Sequence, residues 1–369
     1  MVLNELILKN FRNHGNTDLK FSDGINLIIG DNGSGKTGIL EGVAVLSGIR
    51  SFRRVPDSSM VQWGKDWYYL QGKVREEGKT DNFSIGWSRE DGDRRRKVKV
   101  NDREIIPHKE YYAKFLTVVI HPGDYEIVTG PPELRRSYFD SVISKYDREY
   151  ISCLSDYRRI LNSRNSVLKD IRDGIRKAAE LDIWDEMLAE RGHKITVTRI
   201  NFFKNFNPIF KEQCSLVSGD QEEPEIEYTN SLYPDDISSI IELLLKTRDR
   251  DIYAGTTTRG VHRDGIKVVD SMGRDYTVAA SQGQIRTAAL GLKITEKRIV
   301  ERNSERKMVI LIDDIFSELD MKRRKNLIES IGKNNQILMT MVDRETLRGV
   351  NFSGETCFVV DSQQGVKKI

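Results

Sequence analysis

Gly30-Asp31-Asn32-Gly33-Ser34-Gly35-Lys36-Thr37 fits the pattern GxxxxGK[ST] completely. Each residue type there has a chemical use. Glycines let the backbone curl until several N–H groups point at one phosphate. A helix starting at Gly35 to Thr37 adds the partial positive charge of its N-terminus. A lysine at position 36 can reach the β- and γ-phosphates of a nucleotide, and the Thr37 hydroxyl can ligate Mg²⁺. A chance glycine-rich turn is the bland alternative, and the flanking segments argue against it.

A second element is Val309-Ile310-Leu311-Ile312-Asp313-Asp314, an apolar strand ending in adjacent carboxylates. In P-loop ATPases the first such carboxylate holds Mg²⁺ and the second points at the attacking water. Alone this is equally well a strand-to-turn junction with solvated acids. Beside a P-loop it implies nucleotide hydrolysis, with Lys36, Asp313 and Asp314 as catalytic candidates and Thr37 and Asp313 as metal ligands.

The elements around these residues are legible from pattern. Leu3, Leu6 and Leu8 begin a strand that ends at Asn10-Phe11-Arg12-Asn13, Ile25 to Ile29 reads as another, and Thr37 to Leu46 as a helix. Asn82 to Trp87 and Lys97 to Asn101 read as a hairpin around Asp91-Gly92. From Glu133 to Phe210 glycine is rare and leucine and isoleucine recur at helical spacing, with breaks expected near Ser163, Gly174 and Gly192. Ser218 through Asp236 is polar and turn-rich and reads as a linker. Strands return at Met308 to Ile312, Gln336 to Met341 and Cys357 to Val360. The expected architecture is α/β: an ATPase lobe of 1–126 and 245–369, with a mostly helical lobe, 127–244, inserted between its motifs.

Composition bounds the partners. The chain has 369 residues, 38% hydrophobic and 31% charged, which is ordinary for a soluble globular protein. The net charge is +3, so nucleic-acid binding must come from local basic patches. The cysteines at 153, 214 and 357 form no CxxC pair, which fits a reducing compartment. With no signal-like segment and no apolar run of about 18 residues, a soluble cytoplasmic protein is expected.

Ser281-Gln282-Gly283-Gln284-Ile285-Arg286 opens an Ala/Leu-rich helix shortly before the Asp-Asp strand. Alone it is a helix-cap pattern. In this order it resembles the signature motif of ABC ATPases, which completes the ATP site of another subunit. Asp313 to Asp320 resembles the DDVFSELD of the RecF family, and Leu181 to Ala189 resembles its LDVWDEQLA. Ile49 to Arg53 resembles its GRSFR, Arg135-Arg136 before Asp140 its RRxFLD, and His262-Arg263-Asp264 its PHRDD. The resemblance spans nearly the whole chain.

That resemblance implies an SMC-like, ABC-type head with weak ATPase activity, using ATP and Mg²⁺. It assigns Ser281, Gln282, Gly283 and Gln284 to the in-trans signature and Asp320 to the D-loop. It implies an ATP-driven homodimer on double-stranded and gapped DNA, near single-strand/double-strand junctions and with little sequence specificity. RecO- and RecR-type mediators of recombinase loading are the implied partners, and no membrane. Arg50, Arg53 and Arg54 are the candidate DNA contacts, with Arg94, Arg95 and Arg96 further along; a solvated charged face is the equal alternative. The chain departs from the family at Ile120-His121-Pro122-Gly123-Asp124-Tyr125, where SPEDL is usual. It has no loop glutamine, for which Asp124 is a substitute to consider, and no switch histidine after Met339-Thr340-Met341. A short-armed SMC-like ATPase is a competing reading. A transporter nucleotide-binding subunit fits less well, because the signature there follows the P-loop without a large helical insert.

Overall fold

The computed structural model describes all residues except 91–92, 107–109, 220, 233–235, 333, 344–354, 362–364 and 369. In chain order the strands are β1 (Val2–Phe11), β2 (His14–Lys20), β3 (Ile25–Ile29), β4 (Trp67–Glu76), β5 (Lys79–Glu90), β6 (Asp93–Val100), β7 (Arg103–Glu104), β8 (Thr117–Ile120), β9 (Glu225–Thr229), β10 (Gly265–Val269), β11 (Val309–Asp313), β12 (Ile337–Met341), β13 (Thr356–Asp361) and β14 (Gly365–Lys368). The helices are α1 (Lys36–Gly48), α2 (Tyr125–Thr129), α3 (Pro132–Ser144), α4 (Arg148–Arg172), α5 (Asp182–Ser218), α6 (Ile237–Ala254), α7 (Tyr276–Ala279), α8 (Gln282–Ser304) and α9 (Met321–Ile331).

The chain divides into two compact units. The first comprises Met1–Tyr125, Gln213–Glu222 and Ala289–Ile369; the second comprises Glu126–Glu212 and Glu223–Ala288. In the first unit an antiparallel sheet has the order β2-β1-β4-β5-β6-β7, and a mostly parallel sheet the order β14-β13-β3-β12-β11-β8. Helix α1 packs against strands of both. It is therefore apolar nearly all round, with Ile39, Leu40, Val43, Val45 and Leu46 fully buried. Gly42 lets α1 approach β1, since a Cβ there would lie 2.6 Å from Leu8 Cδ2. Gln336 ties the sheets together: its Oε1 accepts from Leu3 N at 2.7 Å and its Nε2 donates to Leu3 O at 2.8 Å. The expected hairpin is present, with Ser84 opposite Lys99 and Ile85 opposite Val98; its Asp91-Gly92 turn lies outside the described residues.

The second unit packs Phe139 of α3 against Phe202, Phe203 and Phe206 of α5. Two of the three expected helix breaks are absent. Helix α4 runs through Ser163, and α5 runs through Gly192 for 37 residues with Pro208 inside it. Gly192 serves close packing instead, for a Cβ there would lie 2.8 Å from Leu232 Cδ1. Gly174, at φ 76°, is a true break between helices. The expected linker contains β9, paired antiparallel with β10; Asp220 and 233–235 within it lie outside the described residues.

That strand pair moves the domain boundary. The expected division at 244/245 falls inside α6, and the second unit continues to Ala288, taking the Ser281–Gln284 segment with it. Besides β9–β10 pairing, buried ion pairs explain the grouping: Arg164 of α4 binds Asp185 and Asp251 at 2.7 and 2.8 Å. Asp185, part of the LDIWDEMLA run, is thus a core residue. Conversely, 213–222 joins the first unit through Asn326 Nδ2, which donates to Leu216 O at 2.8 Å, and Arg323, 3.3 Å from Glu222.

Candidate nucleotide site

The site lies at the carboxyl ends of β3, β12 and β11, which are parallel and adjacent. Beyond β3 the chain turns at Gly30, whose N–H donates to Met341 O at 3.3 Å. Only glycine fits here: a Cβ would lie 2.3 Å from Val360 O. Gly33 and Gly35 have φ of 82° and 112°, which L side chains rarely adopt. The loop thus curls into the start of α1, as the sequence pattern requires.

Lys36 is 6% exposed, and its Nζ donates to Gly30 O at 2.6 Å and Asp31 O at 2.8 Å. Burial lowers its pKa, and the charges of Asp314, Asp313 and Asp31 oppose that fall. Thr37 Oγ1 donates to Asp313 Oδ1 at 2.9 Å. The same oxygen accepts from Thr340 Oγ1 at 2.8 Å, and Thr340 Oγ1 in turn accepts from Asp314 N at 3.0 Å. Thr340 is fully buried, so this hydroxyl orients the Asp313 carboxylate and holds the backbone of Asp314. Asp314 has φ 46°, an uncommon value that aspartate tolerates. Burial raises its pKa, partly offset by Lys36 and reinforced by Asp313.

A turn between β1 and β2, read from sequence only as a strand end, braces the loop. Asn13 Nδ2 donates to Gly33 O at 3.2 Å. His14 Nε2 donates to Gly35 O at 3.0 Å, and burial lowers its pKa while that hydrogen bond opposes the fall. Arg12 grips the buried Glu41 of α1 through Nε and Nη2 at 2.7 and 2.6 Å. A polar Arg-Asn-His run ending an apolar strand was the available signal for this brace.

The remaining candidates fall in several places. Asp124 accepts from His121 N at 2.8 Å and lies 3.8 Å from Lys293 Nζ. Burial lowers the pKa of Lys293, but Asp124 and Glu296 outweigh it and hold it above its ordinary value. Asp124 is therefore already engaged in a buried cluster. Ser281 and Gln284 cap α8 reciprocally: Ser281 N donates to Gln284 Oε1 at 2.8 Å, and Gln284 N to Ser281 Oγ at 3.3 Å. Ser281 and Gln282 are exposed and Gly283 is half-buried. Asp320 caps α9, accepting from Arg323 N at 2.8 Å. Arg50, Arg53 and Arg54 are exposed on the segment after α1. Arg96 is ion-paired with Asp57, which separates it from exposed Arg94 and Arg95.

A family model described as the RecF/RecN/SMC N-terminal domain matches residues 2–368. The chain is 33% identical over 348 residues to the DNA replication and repair protein RecF of Leptospira interrogans serovar Lai, covering 94% of this chain and 93% of that one. It is 35% identical over 356 residues to the RecF of Thermoanaerobacter sp. strain X514, covering 95% and 96%. This chain belongs to the RecF family. Its fold agrees with that assignment. A solved structure of the recombination mediator protein RecF with ATP, in the RecFOR pathway, superposes at a TM-score of 0.90 with 32% identity, covering all of this chain and 97% of that one. An SMC head bound to a winged-helix domain of ScpA, 14% identical at a TM-score of 0.56, shares the fold alone. The expected ABC-type α/β head is therefore the fold of this RecF-family chain.

Proposed function

We propose that this protein is an ATP-dependent DNA-binding ATPase of recombinational repair, acting as an ATP-driven dimer. The observation that carries the reading is the convergence of Thr37 and Thr340 on Asp313 beside a loop whose close approach at Gly30 and positive φ at Gly33 and Gly35 call for glycine. It is supported by membership of a family in which a RecF has been solved with ATP.

The residues suit the implied Mg²⁺. Thr37 and Asp313 offer hard oxygen donors 2.9 Å apart. No cluster of three or more His, Cys, Asp or Glu side chains that could hold a metal occurs among the described residues. That suits an ion held by one carboxylate, a hydroxyl, water and substrate phosphates. Bound there, Mg²⁺ neutralises charge developing on the phosphates. The chain's own groups do the rest. Backbone N–H groups of residues 33–37 and the start of α1 hold the phosphates, Lys36 leaves the loop carbonyls for them, and Asp314 orients the attacking water. Hydrolysis is weak in this reading.

The Ser281–Gln284 segment at the start of α8, exposed at Ser281 and Gln282, serves the nucleotide of a second copy, and Asp320 contributes at the same interface. Two identical subunits then bury two nucleotides by a two-fold operation. DNA, double-stranded or gapped, is held by phosphate contacts that include Arg50, Arg53 and Arg54, with little sequence specificity. RecO- and RecR-type proteins are its partners, and ADP formation releases the DNA. No helix among the described residues is long and apolar enough to cross a membrane.

Light scattering with ATP, ADP and no nucleotide tests this reading. The mass doubles only with ATP, and Ser281→Arg stays monomeric while binding ATP. An unchanged mass in all three states, or a Ser281→Arg protein that dimerises with ATP, overturns it.

A further inference from the structure

Two of the motifs that mark the family resemblance have no part in the nucleotide site, and they meet in the second unit. Arg136 Nη1 donates to Asp264 O at 2.8 Å, joining Arg135-Arg136 of α3 to His262-Arg263-Asp264. Both segments line a cavity of about 330 Å³ whose wall includes Arg136, Arg158, Arg199, His262 and Arg263. Its cations are all arginines, with Glu133 and Asp140 as the acids of the lining.

The pocket is braced from beneath. Arg199, 3% exposed, binds Asp140 at 2.8 Å and Asp264 at 2.6 Å, which occupies it structurally. Tyr228 Oη donates to Asp264 at 2.6 Å. His262 Nε2 donates to Thr257 O at 3.1 Å, so its Nδ1 accepts from Tyr157 Oη at 2.8 Å. That pattern makes the ring neutral, and burial lowers its pKa to about 4. Gly260, at φ 143°, permits the approach, for a Cβ there would lie 2.3 Å from Tyr157 Oη. Arg136 remains with spare donors. Burial and the neighbouring Arg199 both lower its pKa, so an anion in the cavity would relieve it. Arg158 and Arg263 are exposed at the rim, and Arg158 also lies 3.6 Å from Asp140, a loose pair that leaves most of its guanidinium open to solvent.

We propose that this pocket binds a phosphate group of a DNA strand through the guanidinium groups of Arg136, Arg158 and Arg263. The three come from α3, α4 and the turn before β10, and so approach from separate directions. A tetrahedral phosphate accepts hydrogen bonds from several directions, whereas one planar carboxylate is satisfied by a single fork. This use of the pocket rests on the DNA-binding reading above, and the group is either a backbone phosphodiester or a strand-terminal phosphate.

The test uses full-length protein with ATP and a fluorescein-labelled gapped duplex, followed by anisotropy across a salt series. Arg158→Ala and Arg263→Ala each flatten the slope of log K against log salt by about 0.7–0.9, the loss of one phosphate contact. The double variant binds about 10-fold or more weakly, Arg263→Lys falls between, and ATP affinity and thermal midpoint stay at wild-type values. A weaker complex when the gap carries a 5′-hydroxyl in place of a 5′-phosphate assigns the terminal group; equal binding assigns the backbone. A double variant with wild-type slope and affinity overturns the proposal and leaves the DNA-binding reading standing. So does a hexaglutamate peptide that binds wild type tightly but not the double variant, while DNA binding is the same in both. If wild type binds no DNA, the reading beneath it fails. Loss in the double variant of orthophosphate binding to ADP-saturated protein then still supports a phosphate pocket, and retention overturns it.

Discussion

In the nucleotide site, phosphate recognition is written into backbone geometry. Gly30 sits where a Cβ would strike a carbonyl, Gly33 and Gly35 take positive φ, and one buried lysine follows. In the arginine pocket the same chemistry is assembled from side chains on α3, α4, α5 and the turn before β10, held by ion pairs among Arg199, Asp140 and Asp264. The first arrangement occupies eight contiguous residues and cannot be moved. The second needs four distant segments brought together, and its forks can be weakened one at a time. Concentrated backbone donors suit a ligand that is bound and turned over in one register, whereas separate guanidiniums suit a polymer that offers many equivalent phosphates.

Substitutions sharpen this contrast. Lys36→Ala removes the buried cation of the P-loop and abolishes ATP binding, by more than about 100-fold if the lysine's charged contacts are each worth about 1.5–3 kcal/mol; equilibrium dialysis with ATP checks it. Asp314→Asn leaves ATP binding intact and slows single-turnover hydrolysis by about 10²- to 10⁴-fold, the usual range for a positioned acid–base group. An unchanged rate would remove Asp314 from the mechanism.

In the second unit the larger effects are on stability. Arg199→Met leaves Asp140 and Asp264 buried without their partner and destabilises the protein by about 3–5 kcal/mol, read by urea denaturation. His262 shows the pH dependence. Its folded pKa, about 4, lies below the unfolded value near 6.5, so the unfolded state binds the proton first as pH falls. The stability attached to the neutral ring is full above about pH 6.5 and is lost progressively towards pH 4, by up to about 3 kcal/mol. His262→Gln flattens that part of the profile, measured as the difference in unfolding free energy between pH 5 and 7.

Local pattern was enough for the P-loop, the Asp313–Asp314 pair, strands β3, β11, β12 and β13 and the Ser281–Gln284 cap, because each is a contiguous run whose neighbours within a few residues dictate its conformation. It misled at Gly192, where glycine marks close packing against Leu232 inside an unbroken helix. It also missed β9, whose Glu225–Thr229 run alternates at a period of two but lies in polar company, and whose partner β10 begins 36 residues later. Thr340 could not be singled out from sequence, since its role depends on β12 lying beside β11, so that one hydroxyl reaches Asp313 and the Asp314 amide. The brace of Arg12, Asn13 and His14 beneath the P-loop is of the same kind. What the sequence determined by itself was the chemistry that backbone curvature and adjacent residues encode. What tertiary structure decided was which distant side chains share a charge or a hydroxyl, because a buried ion pair or hydrogen bond is specified by two surfaces packed together and leaves no periodic trace in either one.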